Sequence, residues 1–335
     1  MKPVVFGMSG LHLTADEKVF FKDADPAGYI IFGRNVESKA QLRALTDELR
    51  ELHGRNDVAI LIDQEGGRVA RMQEPVWPRF PAGEVFDKIY NIAPATAIEA
   101  ARINAQAIGE SLREVGITVN CLPLLDVRQP DTVEAIGDRA LGSDPMQVAA
   151  LGRAVIDGQS KGGVVSIVKH IPGHGRAVVD SHMELPTVHA SAEELEADIA
   201  PFRTLSAAPM AMTAHIVYTA WDKDRCASLS PVVIENIIRG EIGFDGLLFS
   251  DDLDMKALKG EVPERARDVV AAGCDIALNC WGRMDEMVGI ANLLGEISDK
   301  SRSRLDKAME TLNDAGEDVD LAELLSLRDA LLDAA

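Results

Sequence analysis

The sequence predicts one closed (β/α)₈ barrel, an α/β fold of the TIM type, with additional helices at its C-terminus. Eight short segments are rich in apolar and β-branched residues, and most are continuously apolar, as strands covered on both faces should be. Longer stretches with helical periodicity lie between them. The length of 335 residues accommodates one such barrel together with extra terminal helices.

The predicted strands alternate with predicted helices, which indicates a parallel sheet. The strands are Val4–Met8, Gly28–Phe32, Val58–Asp63, Ile117–Asn120, Val164–Lys169, Met210–His215, Gly246–Ser250 and Asp275–Asn279. The clearest helices between them are Lys39–His53, Ala97–Val115, Pro145–Lys161 and Pro263–Ala272. An open doubly wound sheet is the rival architecture. No Gly-x-Gly-x-x-Gly motif follows the first strand, however, so nucleotide binding has little support.

Three amphipathic segments follow the last strand: Met284–Ile297, Lys300–Asn313 and Leu321–Leu332. We expect them to form helices that pack outside the barrel or on a partner. No linker rich in Pro, Gly or Ser and no low-complexity segment interrupts the chain. The sequence therefore predicts a single catalytic domain over 1–335, with the barrel at about 1–297 and the extra helices at 298–335.

The composition excludes several classes of partner. A formal net charge of −20, with no basic patch, argues against binding to nucleic acid or to anionic membranes. No stretch approaches the ~20 apolar residues of a membrane helix. Gly7 and Ser9 interrupt the apolar N-terminal run that a signal peptide would need. We therefore expect a cytoplasmic chain with four reduced cysteines at 121, 226, 274 and 280. The sequence leaves the oligomeric state open, with a monomer favoured.

Polar residues collect where predicted strands end, which is where such barrels carry their catalytic groups. Asp63, Glu65 and Arg71 follow the third strand, and Arg139 lies in the long loop after the fourth. Arginines offer forked donors for hydroxyls or carboxylates, and Gly66-Gly67 would let the backbone approach a ligand closely. Each of these residues could also have an ordinary structural role. The acids could cap a helix or turn, and Arg139 could form a surface ion pair.

The densest polar cluster begins at the end of the fifth strand, with Lys169, His170, His174, Asp180 and His182 within fourteen residues. A zinc or iron site is the obvious competitor. The cluster lacks the HExxH motif and a close ligand pair on a helix, and Lys169 would repel a cation, so we expect no metal. Asp180 and His182 are two positions apart and point to the same side of an extended segment. The carboxylate can then orient the imidazole as an acid or base.

Two further expectations concern the loops. Asp251 is the first residue after the seventh strand, where a barrel presents a nucleophile or a charge stabiliser. Asp252 or Asp254 could then serve as the N-cap of the next helix. The segment 173–179 contains two glycines and no long apolar pattern, so we expect it to be mobile without ligand and to close as a lid.

These residues carry a resemblance to glycoside hydrolase family 3. The segments IIRGE (237–241) and GLLFSD (246–251) resemble the nucleophile signature of that family. The run KHIPGHGRAVVDSHMELP (169–186) is similar to the loop that sets its N-acetylglucosaminidases apart. The resemblance covers nearly the whole chain, from the first strand to the last barrel helix.

The resemblance implies a role for each matching residue. Asp251, and not Asp252, would be the nucleophile, while His182 would be the general acid/base with Asp180 as its partner. Sugar contacts would come from Asp63, Arg71, Arg139, Lys169 and His170. No cofactor and no metal are implied.

The implied activity is that of a retaining exo-β-N-acetylglucosaminidase. Its substrate would be a saccharide or muropeptide, N-acetylglucosaminyl-anhydro-N-acetylmuramic acid with or without peptide, and its process peptidoglycan recycling. A sugar-binding protein in a catalytically dead barrel is the first alternative, which the intact Asp251, Asp180 and His182 oppose. A metal-dependent barrel hydrolase is the second. No Gly-x-Ser-x-Gly elbow is present for a serine hydrolase.

Overall fold

The computed structural model describes residues 1–181, 183–316 and 319–334. The strands are β1 Lys2–Gly7, β2 Pro26–Ile31, β3 Ala59–Ile62, β4 Val119–Asn120, β5 Val165–Ile171, β6 Thr187–Val188, β7 Met210–Thr213, β8 Val217–Tyr218, β9 Leu247–Asp252 and β10 Ile276–Asn279. Eight of them form a closed parallel barrel in the order β1-β2-β3-β4-β5-β7-β9-β10, with β10 pairing back to β1. The barrel confirms the predicted fold class and all eight predicted strands. The short parallel pair β6-β8 lies outside the barrel sheet and was not predicted.

Helices follow the barrel strands in the predicted alternation. They are α1 Ala15–Ala24, α2 Lys39–His53, α3 Gly83–Tyr90, α4 Pro94–Glu114, α5 Pro145–Lys161, α6 Ala192–Thr204, a π-helix Val233–Glu241, α7 Val262–Ala272, α8 Met284–Leu293, α9 Asp299–Glu310 and α10 Leu321–Asp333. Short 3₁₀ turns occur at Gly33–Asn35, Gly137–Arg139, Ala227–Leu229 and Thr311–Asp314. Within the described part of the chain, no helix combines the length and the apolar character needed to cross a membrane.

Local signals explain why two helices have the predicted bounds. Helix α2 begins where the Ser38 side chain accepts a hydrogen bond from the Gln41 backbone N–H, and it ends at Gly54, whose φ of 61° is left-handed. Helix α5 begins where the Asp144 carboxylate accepts hydrogen bonds from two backbone N–H groups, with Pro145 in the first turn. Such caps are local in sequence, so they could be read before the fold was known.

The barrel strands are buried on both faces, which explains their apolar runs. In β3, Ala59 and Leu61 belong to the core inside the barrel, whereas Ile60 and Ile62 belong to the layer between strands and helices. The same alternation occurs in β1. Because side chains alternate along a strand, a strand with core on both sides needs apolar residues at every position.

The C-terminal helices occupy three different places. Helix α8 packs beside α7 and α1, so it completes the ring around the barrel. Helix α9 covers the N-terminal ends of the strands. Its Leu305, Ala308 and Met309 join the core inside the barrel, and its Arg304 binds Asp275 just before β10. Helix α10 lies against α4. The expectation of packing outside the barrel therefore describes α8 and α10, whereas the apolar face of α9 closes the end of the barrel opposite the candidate site.

The four cysteines are buried thiols, and none forms a disulfide. Burial raises the pKa of Cys226 to about 11 and raises the pKa of Cys121 and Cys280 above the usual thiol value. A buried, protonated thiol is a poor nucleophile. The cysteines therefore do not compete with the acids and histidines as candidate reactive groups.

Candidate active site

Lys169 joins two carboxylates from a different part of the barrel. Its Nζ lies 3.0 Å from Asp63 Oδ1 and 2.7 Å from Glu65 Oε1. Lys169 is in β5, whereas Asp63 and Glu65 follow β3, so the closed sheet brings together residues more than a hundred positions apart. The Lys169 side chain is only 3% exposed, which places the ion pairs inside the mouth of the barrel.

Two arginines complete this charged array. Arg71 Nη2 donates to Asp63 Oδ2 at 3.0 Å, and the Arg71 guanidinium lies 4.8 Å from the centroid of the Phe32 ring. Arg139 donates two hydrogen bonds to Glu65, each of 2.8 Å, and its side chain is 11% exposed. The alternative interpretation, in which Arg139 forms a surface ion pair, is therefore wrong. Forked arginine–carboxylate contacts of this kind fix orientation as well as charge.

Neighbouring cations hold the two carboxylates of the array in their ionised form. Burial alone would raise the pKa of Asp63, but the nearby Lys169 and Arg71 outweigh it and hold that pKa below its usual range. The pKa of Glu65 falls to about 2, because Arg139 and Lys169 outweigh the effect of burial. The mouth of the barrel thus presents fixed charged donors and acceptors, which suit the hydroxyl and amide groups of a sugar.

The loop that carries Arg71 is held by Gln64. The Gln64 Oε1 accepts from the backbone N–H groups of Arg71 at 2.9 Å and Met72 at 3.0 Å. The two glycines of this loop serve close packing. A Cβ on Gly66 would lie 2.3 Å from a backbone oxygen of Pro81, and Gly67 has a φ of 58°. These glycines let the loop pack closely against other parts of the protein, and not against a ligand as expected.

A buried aspartate that we did not predict orients two of the histidines. Asp126 Oδ2 lies 2.8 Å from His170 Nδ1, and Asp126 Oδ1 accepts from the backbone N–H groups of His170 at 3.1 Å and His174 at 2.7 Å. Burial would raise the pKa of Asp126, but the contact with His170 outweighs it and lowers that pKa to about 2. The carboxylate therefore keeps a proton on His170 Nδ1. The only local signal was an acid ending the apolar run 121–125.

The predicted contact between Asp180 and His182 stays a prediction, because His182 lies outside the described residues. Ser181, between them, is buried and touches two parts of the barrel. Its Oγ lies 3.2 Å from His174 Nε2, and its carbonyl accepts from the backbone N–H of Ala257 at 3.3 Å. Ser181 is therefore held beside the segment that follows β9.

The segment 173–177 is packed, in contrast to the expected mobility of 173–179. Tyr218 Oη donates to the Gly173 carbonyl at 2.7 Å, and Thr132 Oγ1 donates to the Gly175 carbonyl at 2.5 Å. A Cβ on Gly175 would lie 1.9 Å from the carbonyl oxygen of Val127. The glycines permit this close approach, so they do not indicate a lid. The segment leaves the protein body at Val178, whose side chain is 63% exposed.

Asp251 is the last residue but one of β9, opposite β3 in the barrel, so it lies within the strand and not after it as predicted. Its Oδ1 accepts from the Asp252 backbone N–H at 2.8 Å. Burial raises the pKa of both Cys121 and Cys280, and the charges of Asp63 and Asp251 add to the increase in each. Because β9 lies opposite β3 in the closed barrel, Asp251 stands across the barrel mouth from the charged array.

The acids after Asp251 do not cap a helix. Asp252 Oδ1 accepts from the backbone N–H of Asp254 at 3.1 Å within a turn, and the next helix begins only at Val262. Asp254 instead binds Arg283 at 2.6 Å. Burial, followed by the charges of Asp254 and Asp251, raises the pKa of Asp252 to about 7. The predicted N-cap is therefore wrong, and Asp252 is a carboxyl group that titrates near neutrality.

The raised pKa of Asp252 predicts how stability depends on pH. Between pH 4 and pH 7 the folded state keeps a proton that the unfolded state has lost, so the stability contribution falls as pH rises through this window. Asp252→Asn mimics the protonated form and does not titrate. Relative to the parent protein, we expect its melting temperature to gain about 2–5 °C at pH 8 and nothing at pH 4.

Thermal unfolding at both pH values, followed by circular dichroism, measures this difference. Asp131→Asn, at an exposed loop position, controls for the loss of one negative charge. A gain for Asp252→Asn that is the same at pH 4 and pH 8 would contradict the assignment.

Within residues 1–181, 183–316 and 319–334, no group of three His, Cys, Asp or Glu side chains is arranged to hold a metal ion. Lys169 instead occupies the position between Asp63 and Glu65. His182 lies outside the described residues, so the expected absence of a metal stays a prediction.

Comparison with known proteins decides the family. The profile described as "Glycosyl hydrolase family 3 N terminal domain" matches residues 6–315. The chain belongs to glycosyl hydrolase family 3. The beta-hexosaminidase of Tolumonas auensis is 36% identical over 319 residues, which cover 93% of this chain and 92% of the relative. That of Neisseria meningitidis is 40% identical over 284 residues, covering 83% and 78%.

The three-dimensional fold of this family 3 hydrolase is shared with NagZ from Neisseria gonorrhoeae. The native NagZ structure superposes with a TM-score of 0.87 at 34% identity, over 99% of this chain and 98% of that one. NagZ has also been solved in complex with N-trifluoroacetyl-D-glucosamine and in complex with zinc ion. The similarity covers the barrel and its C-terminal helices together.

Proposed function

We propose that this family 3 glycoside hydrolase is a retaining exo-β-N-acetylglucosaminidase whose nucleophile is Asp251. The observation that carries the proposal is the position of Asp251 at the end of β9, across the barrel mouth from the array of Asp63, Arg71 and Lys169. A sugar held by that array would present its anomeric carbon between the two sides of the mouth.

The proposed reaction has two displacement steps. A carboxylate oxygen of Asp251 attacks the anomeric carbon and the glycosidic C–O bond breaks. The leaving oxygen takes a proton from His182, oriented by Asp180. Water then attacks the resulting glycosyl ester, with His182 as the base, and releases both the sugar and the Asp251 carboxylate. Two inversions at one carbon give net retention.

We assign the glycone contacts to Asp63, Arg71, Arg139, Lys169 and His170. Charged hydrogen bonds of this kind contribute roughly 1.5–3 kcal/mol each. The Asp126 carboxylate holds His170 through Nδ1 and leaves Nε2 for a substrate oxygen. Arg139 donates from Nε and Nη2 to Glu65 and from Nη1 to the Ala135 carbonyl, so besides its proposed sugar contact it holds the Glu65 carboxylate in place.

The substrate class is inferred from the relatives. NagZ was solved with an N-acylated glucosamine, and the curated relatives carry the name beta-hexosaminidase. We extend this to terminal N-acetylglucosamine on anhydro-N-acetylmuramic acid, with or without peptide, in cytoplasmic peptidoglycan recycling. A binding protein without turnover is the alternative of a different class. A metal-dependent hydrolase has less support, because an ammonium group joins the two acids that a metal would need.

Hydrolysis of a chromogenic N-acetylglucosaminide tests the activity. We expect turnover with this substrate and at least about 10²-fold less with the corresponding glucoside, because the glucoside lacks the acetamido group that a polar pocket can bind. Proton NMR of the first product should show the β-anomer, and mass spectrometry should show loss of one N-acetylglucosamine from a purified muropeptide. Binding without turnover, or an α-anomer as first product, would overturn the proposal.

A further inference from the structure

His215 is a fully buried histidine that lies next to the nucleophile strand. It follows β7 by two residues, and its side chain is 0% exposed. Its Nε2 lies 3.1 Å from the carbonyl oxygen of Asp252, the residue after the proposed nucleophile. Neither the sequence analysis nor the proposed reaction gives this histidine a role.

The partners of His215 determine where its proton lies. A carbonyl oxygen only accepts, so Nε2 must carry the proton in the contact with Asp252. Burial lowers the pKa of His215, and the Asp251 carboxylate opposes this effect only in part, so the ring is neutral at pH 7. Because the neutral ring carries its single proton on Nε2, Nδ1 must accept a hydrogen bond. Ser228 Oγ lies 2.6 Å from it and is the donor.

A second hydroxyl extends the chain of hydrogen bonds. Thr213 Oγ1 donates to Ser228 Oγ at 2.9 Å, which leaves the single Ser228 proton for His215 Nδ1. The carbonyl of Ala214 lies 3.0 Å from the same Ser228 Oγ and competes for that proton over a longer distance. The groups are completely buried, so water does not supply a substitute donor.

This chain of hydrogen bonds ends on Asp252, the residue next to the nucleophile. The Asp252 carbonyl accepts from His215, while the Asp252 N–H donates to Asp251 Oδ1 at 2.8 Å. Rotation of residue 252 would therefore break the contact with His215 and move the N–H that orients the Asp251 carboxylate. From this geometry we infer that His215, polarised by Ser228, is a positioning residue that fixes the attack geometry of Asp251. The inference rests on the proposed role of Asp251.

Replacing His215 with Asn or with Gln tests separately the contacts made by the two imidazole nitrogens. Asn at position 215 places its amide near Nδ1 and is too short to reach the Asp252 carbonyl, whereas Gln can place an N–H near the Nε2 position. We expect His215→Asn to lower kcat by about 10²-fold, since misplacement of a reacting group by about 1 Å has a cost of this size. His215→Gln should stay within about 10-fold of the parent protein, and KM should change little in both.

A separate measurement isolates the attack step. The rate of covalent labelling by a fluorinated glycoside that forms a slowly hydrolysed glycosyl-enzyme should fall with kcat in His215→Asn. The affinity for N-acetylglucosamine, measured by calorimetry, should remain unchanged. Ser228→Ala removes the donor to Nδ1 without altering the histidine, and we expect an intermediate loss of about 10-fold in kcat.

The controls keep the outcome decisive. Ser166→Ala removes another buried serine hydroxyl, one with no hydrogen-bond partner in the described part of the protein, and should leave kcat unchanged. Equal losses in His215→Asn and His215→Gln, or an unchanged kcat in Ser228→Ala, would overturn the inference, and Ser228→Ala decides it if the histidine variants do not fold. If the parent protein is labelled at a residue other than Asp251, the proposed function fails first, which is a distinguishable result.

Discussion

Replacing Asp251 with alanine will abolish turnover while leaving the fold intact. The carboxylate forms the covalent bond to the sugar in the proposed reaction, so we expect kcat to fall by at least about 10³-fold. Asp251 stands at the open end of β9 and is only partly buried. Its removal should change the free energy of unfolding by no more than about 1 kcal/mol. Steady-state kinetics with a chromogenic N-acetylglucosaminide and thermal unfolding of the same sample measure both effects.

Covalent labelling distinguishes Asp251 from its neighbour. A slowly deglycosylating fluorinated substrate should add one sugar to the parent protein, and peptide mass spectrometry should locate it on Asp251. Asp252 is the matched control, because it is adjacent in sequence but its carboxylate binds the Asp254 backbone. A label on Asp252, or no label during measurable turnover, would remove Asp251 from the proposed role.

Replacing His182 with alanine will slow substrates according to their leaving groups. An alkyl or sugar leaving group needs protonation as the bond breaks, whereas an activated aryl group departs as a stable anion. General acid help of this kind is worth about 10²–10⁴-fold. We therefore expect a loss of that size on a disaccharide and a loss of less than about 10-fold on a dinitrophenyl glycoside in the first chemical step. A leaving-group series measured under single-turnover conditions gives the comparison.

The Asp180→Asn variant tests the same acid role through the residue proposed to orient His182. The amide keeps the shape of the side chain but removes the charge that supports the imidazole, so its losses should have the same leaving-group dependence and be smaller. Losses that are equal across the series in His182→Ala would mean that the histidine only braces its loop. The acid role would then pass to another group.

The barrel itself was predictable because its signals are local. Most barrel strands are buried on both faces and carry an apolar run, and even the two-residue β4 lay within a predicted segment. Ser38 and Gly54 bound α2 through contacts within a few residues. Asp63, Lys169 and Asp251 were identifiable as candidates because a barrel carries its reactive groups where strands end.

The predictions that failed depended on contacts between distant parts of the chain. Gly175 was expected to provide freedom, but the approach of Val127 uses the missing Cβ for packing. Asp252 was expected to cap a helix, but the chain turns back and α7 begins ten residues later at Val262. No local pattern encodes which surface will meet a glycine or where a loop will end.

The sequence by itself determined the fold class, the order of the strands and the residues that stand at the barrel mouth, because burial periodicity and helix caps act over a few positions. Only the tertiary structure decided what those residues contact. Asp126 meets His170 across 44 positions, and Lys169 meets Asp63 across 106. His215 meets the Asp252 carbonyl across 37 positions. The charge, tautomer and orientation of each group follow from such contacts, and closure of the barrel creates them.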